Sequence, residues 1–237
     1  MVDKNVVELL KGVDLFSGLT EQQLEQLASL VIVSDFSRDE TVILEKDESV
    51  QALFLIASGE VKVYMTGIDG KETILALLER GDFFGEMSLI DGEPRSASVK
   101  AVTAAKLFIL RREHFLKLLD TTQGLATGLL MEMSRRLRKA NRQIGSLSTM
   151  SVYGRVAGTL LSLIEERGVR VHGDDGRMVT VIRNRPTQQQ LAEMSGTTRE
   201  TVSRVFSSLA KKGLVSAVGK DLVITEENLL REPDSKE

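Results

Sequence analysis

One short segment of the chain combines side chains that suit an anionic ligand. It runs from Gly85 to Ala97 and contains Glu86 and, nine residues later, Arg95. Gly85 allows a ligand close to the backbone, whose amide groups can face a phosphate. Arg95 and the neighbouring Ser96 suit phosphate oxygens, while the carboxylate of Glu86 accepts hydrogen bonds from sugar hydroxyls. A ribose-phosphate ligand therefore fits better than a free anion, which would leave Glu86 unused.

The sequence around this segment is more specific than the segment alone. By residue type, Glu86 and Arg95 could instead form a weak ion pair on a surface β-turn. However, the surrounding sequence resembles the phosphate-binding cassette of cyclic-nucleotide-binding domains, at Phe83–Ile90 and Pro94–Ala97. The resemblance extends through Leu53–Val61 and Asp69–Glu72 and covers about residues 10–120.

This resemblance implies a role for each residue of the cassette. Glu86 is expected to bind the ribose 2′-hydroxyl, and Arg95 and Ser96 are expected to bind the cyclic phosphate. The remaining cassette residues implied to line the pocket are Gly85, Ala97 and Met87, the last through its amide.

Composition sets outer limits on the class of protein. The 237 residues can form two domains, and 42% hydrophobic with 27% charged residues is typical of a soluble protein. The absence of cysteine excludes disulfides, thiolate metal sites and cysteine-held iron–sulfur clusters. The charged N-terminus argues against a secretory signal, and no apolar run approaches the ~20 residues of a membrane helix. We therefore expect a cytoplasmic protein with no membrane association.

The net charge of −3 conceals a basic C-terminal half. Residues 134–164 contain no acid and carry Arg135, Arg136, Arg138, Lys139, Arg142 and Arg155. Residues 183–220 carry Arg183, Arg185, Arg199, Arg204, Lys211, Lys212 and Lys220 against Glu193 and Glu200. Such an asymmetry favours nucleic-acid contact in this half, although residues 134–142 alone could be a solvated helix face.

The elements that position the cassette are short and glycine-punctuated. Helical patterns at 6–12 and 20–31 precede β-type runs at 41–44, 52–56, 61–65, 73–78, 98–103 and 105–110. Asp69-Gly70 is a strong hairpin signal. This spacing predicts a small antiparallel barrel or sandwich, with the cassette on its one partly helical connection.

A long helix is predicted over residues 122–149, after a short helix at 111–119. Its apolar residues alternate in spacings of three and four: Leu130, Met133, Leu137, Ala140, Ile144 and Leu147. So narrow an apolar seam favours packing against the same helix of a second copy of the chain. The pattern therefore predicts a homodimer through residues 122–150. The alternative is a single amphipathic helix lying on its own barrel.

The C-terminal part shows the pattern of two short helices joined by a glycine turn. Ser151 is a plausible N-cap for a helix over 152–166, residues 167–177 are predicted to be a loop, and residues 178–182 a strand. Thr187–Gly196 and Thr197–Leu209 then form a helix-turn-helix pattern. Polar residues at the start of its second helix, which would enter the major groove, are Arg199, Glu200, Ser203 and Arg204.

These residues and the strand-turn pattern around Lys220 resemble the winged helix of the Crp/Fnr family of bacterial transcription regulators. The chain is most similar to the catabolite activator branch of that family. In the family, the pattern present here as Arg199, Glu200 and Arg204 reads a TGTGA-type half-site. The resemblance places Thr187, Gln188 and Lys220 near the DNA backbone and implies RNA polymerase as a partner.

The implied fold class is α+β. It comprises an N-terminal antiparallel β-roll (1–121), a dimerisation helix with a hinge (122–150) and a winged helix-turn-helix (151–237). The implied function is homodimeric, sequence-specific binding of double-stranded DNA under control of a cyclic nucleotide. No phosphate-binding P-loop, metal cluster or nucleophile–base set is present, which argues against an enzyme. A nucleotide-binding module that binds no DNA is a further alternative.

The residues at the positions that bond the base differ from those of the catabolite activator. Where the catabolite activator has a Thr-Ser pair that bonds adenine, this chain has Ala140 and Asn141. Ala140 cannot make that bond, whereas Asn141 can bond either purine. The interval from Glu86 to Arg95 is also one residue shorter than in that protein. Cyclic AMP is the first expectation, followed by cyclic GMP, a cyclic dinucleotide and no ligand. A haem would need His114 or His172 as its axial ligand, and both are expected to be surface or packing residues.

Overall fold

The computed structural model describes residues 4–47, 50–122, 124–173, 176–226 and 230. The chain divides into two compact units, Met1–Lys139 and Ala140–Glu237. The first unit opens with α1 (Lys4–Lys11), a 3-10 turn (Asp14–Phe16) and α2 (Glu21–Leu30). A capping box between Thr20 and Gln23 starts α2, which agrees with the helix start predicted at Thr20.

Two four-stranded antiparallel sheets form the β-roll of the first unit. One sheet has the order β1 (Ile32–Phe36), β8 (Ala105–Arg111), β3 (Ala52–Ser58), β6 (Phe83–Phe84). The other has the order β2 (Thr41–Ile43), β7 (Ser98–Ala101), β4 (Glu60–Thr66), β5 (Glu72–Glu79). The antiparallel architecture and the Asp69-Gly70 hairpin are therefore confirmed.

Two strands of the β-roll were missing from the sequence-based expectation. β1 is a mostly exposed edge strand that pairs with β8, so its sequence lacks a clear apolar alternation. β6 has two residues, Phe83 and Phe84, which pair with Leu55 and Phe54. Both strands depend on a partner that is distant in sequence, and neither pattern identifies a strand by itself.

The continuous apolar run of β3 reflects burial on both faces. One face, with Phe54 and Ile56, packs in the core between the two sheets. The other face, with Leu53 and Leu55, packs in a second core that the surrounding helices share. Those helices include α4 (Arg112–Thr121) and the beginning of α5 (Leu125–Thr149). A strand buried on both faces carries no alternation, as this sequence shows.

In its described residues, the second unit contains the end of α5 followed by a winged fold of three helices and four strands. Its helices are α6 (Val152–Arg167), α7 (Gln188–Ser195) and α8 (Arg199–Lys211). Its antiparallel sheet has the order β11 (Val215–Val218), β12 (Asp221–Ile224), β10 (Met178–Ile182), β9 (Gly168–His172). One apolar core joins the three helices with β10, β11 and β12. Ser151 caps α6 as predicted and accepts a hydrogen bond from the Gly154 amide.

The prediction of a loop over residues 167–177 was wrong. Residues Gly168–His172 form β9, which pairs with β10 in the register His172 to Met178 and Gly168 to Ile182. The Gly173 amide donates to the Arg177 carbonyl at 2.8 Å at the hairpin end. The Gly176 amide donates to the Gly173 carbonyl at 2.9 Å in the same turn, and residues 174–175 of the predicted loop lie outside the described residues. The alternation of Val169 and Val171 is the strand signal in this segment.

Candidate ligand pocket and nucleic-acid interface

The cassette is the connection between β6 and β7. Gly85 follows β6 with φ 87°, Glu86 follows it, and the short helix α3 (Met87–Asp91) comes next. A Cβ atom at Gly85 would lie 2.8 Å from Arg95 Nη1 and 2.9 Å from the Ala52 carbonyl oxygen. Gly85 is thus required both by its backbone conformation and by the close approach of Arg95. The expected helical character of this connection is confirmed.

Arg95 is buried with 5% of its surface exposed. It donates to the carbonyl oxygens of Gly85 at 2.7 Å, Ala52 at 3.1 Å and Val50. Burial lowers the pKa of the Arg95 guanidinium, while the negative charges of Glu86 and Asp47 act in the opposite direction. In the described part of the chain, no carboxylate lies within ion-pair distance of Arg95. The structure therefore holds a buried cation whose direct partners are neutral carbonyls.

Glu86 is buried beside it, with 2% of its surface exposed. Its Oε1 accepts a hydrogen bond from Arg136 Nη1 at 3.1 Å. Its Oε2 is buried and has no hydrogen-bond partner among the described residues. A buried carboxylate oxygen without a partner is costly, so this atom is suited to a hydroxyl donor from a ligand.

Arg136 is the residue of this site that the sequence-based interpretation missed. All three of its side-chain nitrogens have partners: Nε donates to Glu132 at 2.9 Å, Nη1 to Glu86, and Nη2 to the Phe83 carbonyl at 2.7 Å. Its guanidinium also lies over the Phe83 ring, 4.8 Å from the centroid. The i, i+4 spacing of Glu132 and Arg136 was a visible signal, but the contact with Glu86 was not.

The remaining predicted pocket residues are more exposed than Glu86 and Arg95, and one of them lies in the second unit. Ser96 and Met87 are exposed, and the Ser96 hydroxyl lies 3.8 Å from the Met87 sulfur. Ala97 is half-buried. Asn141 is exposed on α5 in the second unit, and its role toward a base stays a prediction.

The helix-turn-helix is built by two capped helices and a left-handed glycine. Thr187 caps α7 in a capping box with Gln190, and Thr198 caps α8 by accepting from the Thr201 amide. Gly196 joins them with φ 61° and ψ 45°. The apolar residues predicted to hold the pair together lie in or against one core: Leu191, Ala192, Val202, Val205, Phe206 and Leu209.

The polar face of α8 is open at its N-terminal end. Arg199, Glu200 and Arg204 are exposed, and Ser203 is half-buried. The pKa of Glu200 is lowered, first by its own backbone amide and the Thr198 hydroxyl, and further by Arg199 and Arg204. Glu200 is therefore an ionised hydrogen-bond acceptor at neutral pH, the state that base recognition through cytosine N4 requires.

Two further groups belong to this candidate interface. Lys220 is exposed in the turn between β11 and β12, and its carbonyl accepts from the Arg185 amide at 2.9 Å. The Asn184 amide donates to the Asp221 carboxylate at 3.0 Å, which ties the same turn to the segment before α7. Thr187 serves as the cap of α7 and Gln188 is half-buried in its first turn, so DNA contact by these two stays a prediction.

Part of the basic charge is engaged in ion pairs and hydrogen bonds within the fold. Arg135 and Arg136 pair with Glu132, and Arg136 also with Glu86. Arg155 donates to the carbonyls of Ser195 at 3.0 Å and Gly196 at 3.2 Å, so it ties α6 to the turn of the helix-turn-helix. The charge of residues 134–164 is consequently a weaker indicator of nucleic-acid contact than its residue count suggested.

The described ranges contain neither a metal-binding cluster nor a membrane-spanning helix. There, no group of three or more His, Cys, Asp or Glu side chains could hold a metal ion. His114 is half-buried in α4, and His172 is exposed in β9. No helix within those ranges has the length and apolar character needed to cross a membrane.

A β-roll with this cassette, followed by a winged helix-turn-helix, defines a transcription regulator with a cyclic-nucleotide-type binding domain. Residues 34–122 match the cyclic nucleotide-binding domain, and residues 154–232 match the Crp-like helix-turn-helix domain. The "Cyclic AMP receptor protein" of Thermus thermophilus is 35% identical over 94% of this chain and 97% of its own length. The chain belongs to the Crp family of DNA-binding transcription regulators, as its sequence indicated.

Two solved structures illustrate the range within this fold. The catabolite activator protein of Thermus thermophilus is 35% identical, with a TM-score of 0.52 and coverage of 92% of this chain and 96% of its own. The c-di-GMP responsive global regulator CLP of Xanthomonas campestris is 24% identical, with a TM-score of 0.69 and coverage of 87% and 100%. The second likeness shows the fold alone.

Proposed function

We propose that the protein is a homodimeric regulator whose sequence-specific binding to DNA is controlled by a cyclic nucleotide, with cyclic AMP as the first expectation. The observation that carries this proposal is the pairing of two buried, incompletely compensated groups in the cassette. Arg95 contributes a buried positive charge, and Glu86 contributes a buried oxygen without a partner in the described residues. One ligand that carries both an anion and a hydroxyl satisfies both groups.

The chemistry of these groups favours a cyclic nucleotide over inorganic phosphate. The phosphate would take charge-assisted hydrogen bonds from Arg95 and the Ser96 hydroxyl, with Gly85, Met87 and Ala97 lining the same pocket. The ribose 2′-hydroxyl would donate to Glu86 Oε2. An inorganic phosphate satisfies Arg95 but brings no sugar hydroxyl to Glu86, so it should bind less tightly.

Cyclic AMP is supported by the Thermus thermophilus relative, which is named a cyclic AMP receptor protein. The CLP regulator of Xanthomonas campestris is instead described as responsive to cyclic di-GMP, so the shared fold is compatible with more than one effector. In this chain, Asn141 is the proposed base-reading residue, since Ala140 has no polar side-chain atom. Regulation by cyclic GMP, by cyclic di-GMP or without a ligand remains the alternative.

The proposed dimer forms through residues 122–150. Four seam residues of α5 are exposed large apolar side chains in the single chain: Leu130, Leu137, Ile144 and Leu147. Met133 differs, since it packs against the core of its own β-roll. An exposed a/d stripe of this length is suited to a copy of the same helix. Each copy would then present one α8 to a half-site of a palindrome.

The proposed DNA contacts lie at the N-terminal end of α8 and in the wing. Arg199, Glu200 and Arg204 would read base edges of a TGTGA-type half-site, with Ser203 beside them. Thr187, Gln188 and Lys220 would contact the phosphate backbone, which contributes affinity without sequence preference. RNA polymerase is the proposed protein partner in transcription. The proposed domains are the nucleotide-binding β-roll (1–121), the dimerisation helix with its hinge (122–150) and the winged helix-turn-helix (151–237). The protein would act in the cytoplasm as a regulator and not as an enzyme.

Fluorescence anisotropy tests this proposal with a TGTGA-N6-TCACA duplex and a scrambled duplex at one fixed salt concentration. Each is titrated without ligand and with cyclic AMP, cyclic GMP or cyclic di-GMP. Specific binding that rises with one nucleotide supports the proposal and identifies the effector. Specific binding indifferent to all of them would contradict nucleotide control, and equal binding to both duplexes would contradict the assigned half-site.

A further inference from the structure

We infer that Glu132 is a positioning residue of the nucleotide site, which holds Arg136 in the orientation that fixes Glu86 for the ribose hydroxyl. This inference rests on the proposed function and deepens it. Glu132 lies on α5, outside the cassette, and its proposed action on the ligand passes through Arg136.

The geometry around Glu132 is that of a bridge between two arginines. Its Oε1 accepts from Arg136 Nε at 2.9 Å, and its Oε2 accepts from Arg135 Nη1 at 2.8 Å. Both carboxylate oxygens are therefore engaged, and 24% of the side chain is exposed. The partner that matters for the pocket is Arg136, because Arg136 alone of the two arginines contacts Glu86 in the described structure.

Arg136 needs such a constraint. Its side chain is long, has large rotamer freedom and is 32% exposed, so solvent-facing rotamers are open to it. The Nε bond to Glu132 and the Nη2 bond to the Phe83 carbonyl leave Nη1 directed at Glu86 Oε1. Loss of Glu132 would remove one of the three partners and weaken the restriction on this rotamer.

The consequence falls on one oxygen of the pocket. Because Arg136 occupies Oε1 of Glu86, the carboxylate presents its unpartnered Oε2 to a ligand. A weaker hold on Arg136 makes the Glu86 carboxylate less ordered and less ready to accept from the ribose 2′-hydroxyl. Glu132 should therefore affect discrimination between ribose and 2′-deoxyribose more than affinity for the phosphate.

The test measures the affinity ratio between a cyclic nucleotide and its 2′-deoxy form by titration calorimetry. Full-length wild type, Glu132→Ala, Glu132→Gln and Arg135→Ala are each titrated with cyclic AMP, cyclic GMP and the 2′-deoxy form of each. In the wild type we expect the ribose form to bind on the order of tenfold to a hundredfold more tightly, the effect of a hydrogen bond to a charged group. Thermal unfolding of each variant reports whether the fold is retained.

We expect Glu132→Ala to lower this ratio about threefold to tenfold, which lies in the lower part of the range of coupling between neighbouring groups. Glu132→Gln, which keeps one acceptor oxygen, should give an intermediate ratio. Arg135→Ala is the matched control on the same helix, since it removes the other partner of Glu132 and leaves Arg136 Nε bonded. Its ratio should equal that of the wild type. In an Arg136→Gln background, Glu132→Ala should have no further effect on the ratio.

Two results would overturn the inference without contradicting nucleotide control. One is an unchanged ratio in Glu132→Ala with affinity for both nucleotides reduced equally, which would make Glu132 a general structural residue. The other is a wild type that binds both forms equally, which would remove the ribose contact of Glu86. If the wild type bound neither cyclic AMP nor cyclic GMP, both the inference and control by these two nucleotides would be wrong.

Discussion

Arg136 and Glu86 form an ion pair of 3.1 Å although they are 50 residues apart in sequence. The pair joins helix α5 to the cassette of the β-roll within the first unit. It leaves one oxygen of Glu86 buried and without a partner in the described residues. A ligand hydroxyl that donates to this oxygen would therefore bind a carboxylate whose other oxygen is hydrogen-bonded to Arg136 of α5.

The substitution Arg136→Gln tests the importance of this pair for folding and binding. It leaves Glu86, whose side chain is 3% exposed, without its cationic partner. We expect a loss of about 1–3 kcal/mol in the free energy of unfolding and weaker nucleotide binding. Chemical denaturation and calorimetry measure the two effects. An unchanged free energy of unfolding and an unchanged nucleotide affinity would show that the pair contributes to neither. Arg38→Ala, which removes a mostly exposed arginine, is the control.

The substitution Arg95→Ala should strongly weaken nucleotide binding. Arg95 provides the proposed contact with the phosphate, so affinity should fall on the order of a hundredfold or more. Because Arg95 also donates to three carbonyls, we expect a loss of about 1–3 kcal/mol in stability. Calorimetry with cyclic AMP measures the first effect and denaturation the second. A folded variant with unaltered affinity would contradict the placement of the phosphate at Arg95.

Asp82 should make stability fall with rising pH. Burial raises the pKa of Asp82, although its carboxylate accepts from the Glu79 amide at 2.8 Å. The folded state therefore binds this proton more tightly than the unfolded state, so the contribution is most favourable below the unfolded pKa of about 3.9 and is lost as pH rises through the folded pKa. Asp82→Asn should gain stability relative to wild type as pH rises from 4 to 7. Denaturation across that range measures the difference, and a gap that narrows toward pH 7 would contradict it.

Glu200→Ala should relax base preference within the half-site. Glu200 is exposed and ionised, and its proposed role is to accept from a base edge. We expect discrimination at one base pair to fall about tenfold, with little effect on a scrambled duplex. Lys220→Ala is the contrasting variant, which should weaken binding to all duplexes and lower the salt slope by about 1. Anisotropy with single-base variants of the site measures both, and uniform weakening by Glu200→Ala would contradict base readout.

Leu137→Glu should dissociate the proposed dimer. Leu137 is 63% exposed in the single chain and lies on the a/d stripe of α5. Burying a carboxylate from each copy in this seam should raise the dimer dissociation constant about a hundredfold or more. Arg142→Glu is the control, because the heptad places residue 142 on the side of the helix opposite the seam. Sedimentation velocity measures the association, and equal dissociation of both variants would argue against this seam.

The sequence by itself determined the order and type of most elements. Glycine-punctuated β-runs, the apolar spacing of α5 and the caps Thr20, Ser151 and Thr187 are local signals, and the structure contains the elements they predict. The cassette was visible for the same reason, since Gly85, Glu86 and Arg95 lie within one short segment. Local sequence is sufficient where backbone conformation and hydrogen bonds close over a few residues.

Only the tertiary structure decided which charges meet. The sequence placed Arg136 and Arg155 in a basic run, whereas folding directs one to Glu86 and the other to the carbonyls of the helix-turn-helix. It also decided β1 and β6, which are strands because a distant strand pairs with them. The physical reason is common to these cases. A long side chain or a short edge strand contacts a partner that is distant in sequence, and the local spacing of residues does not specify which partner that is.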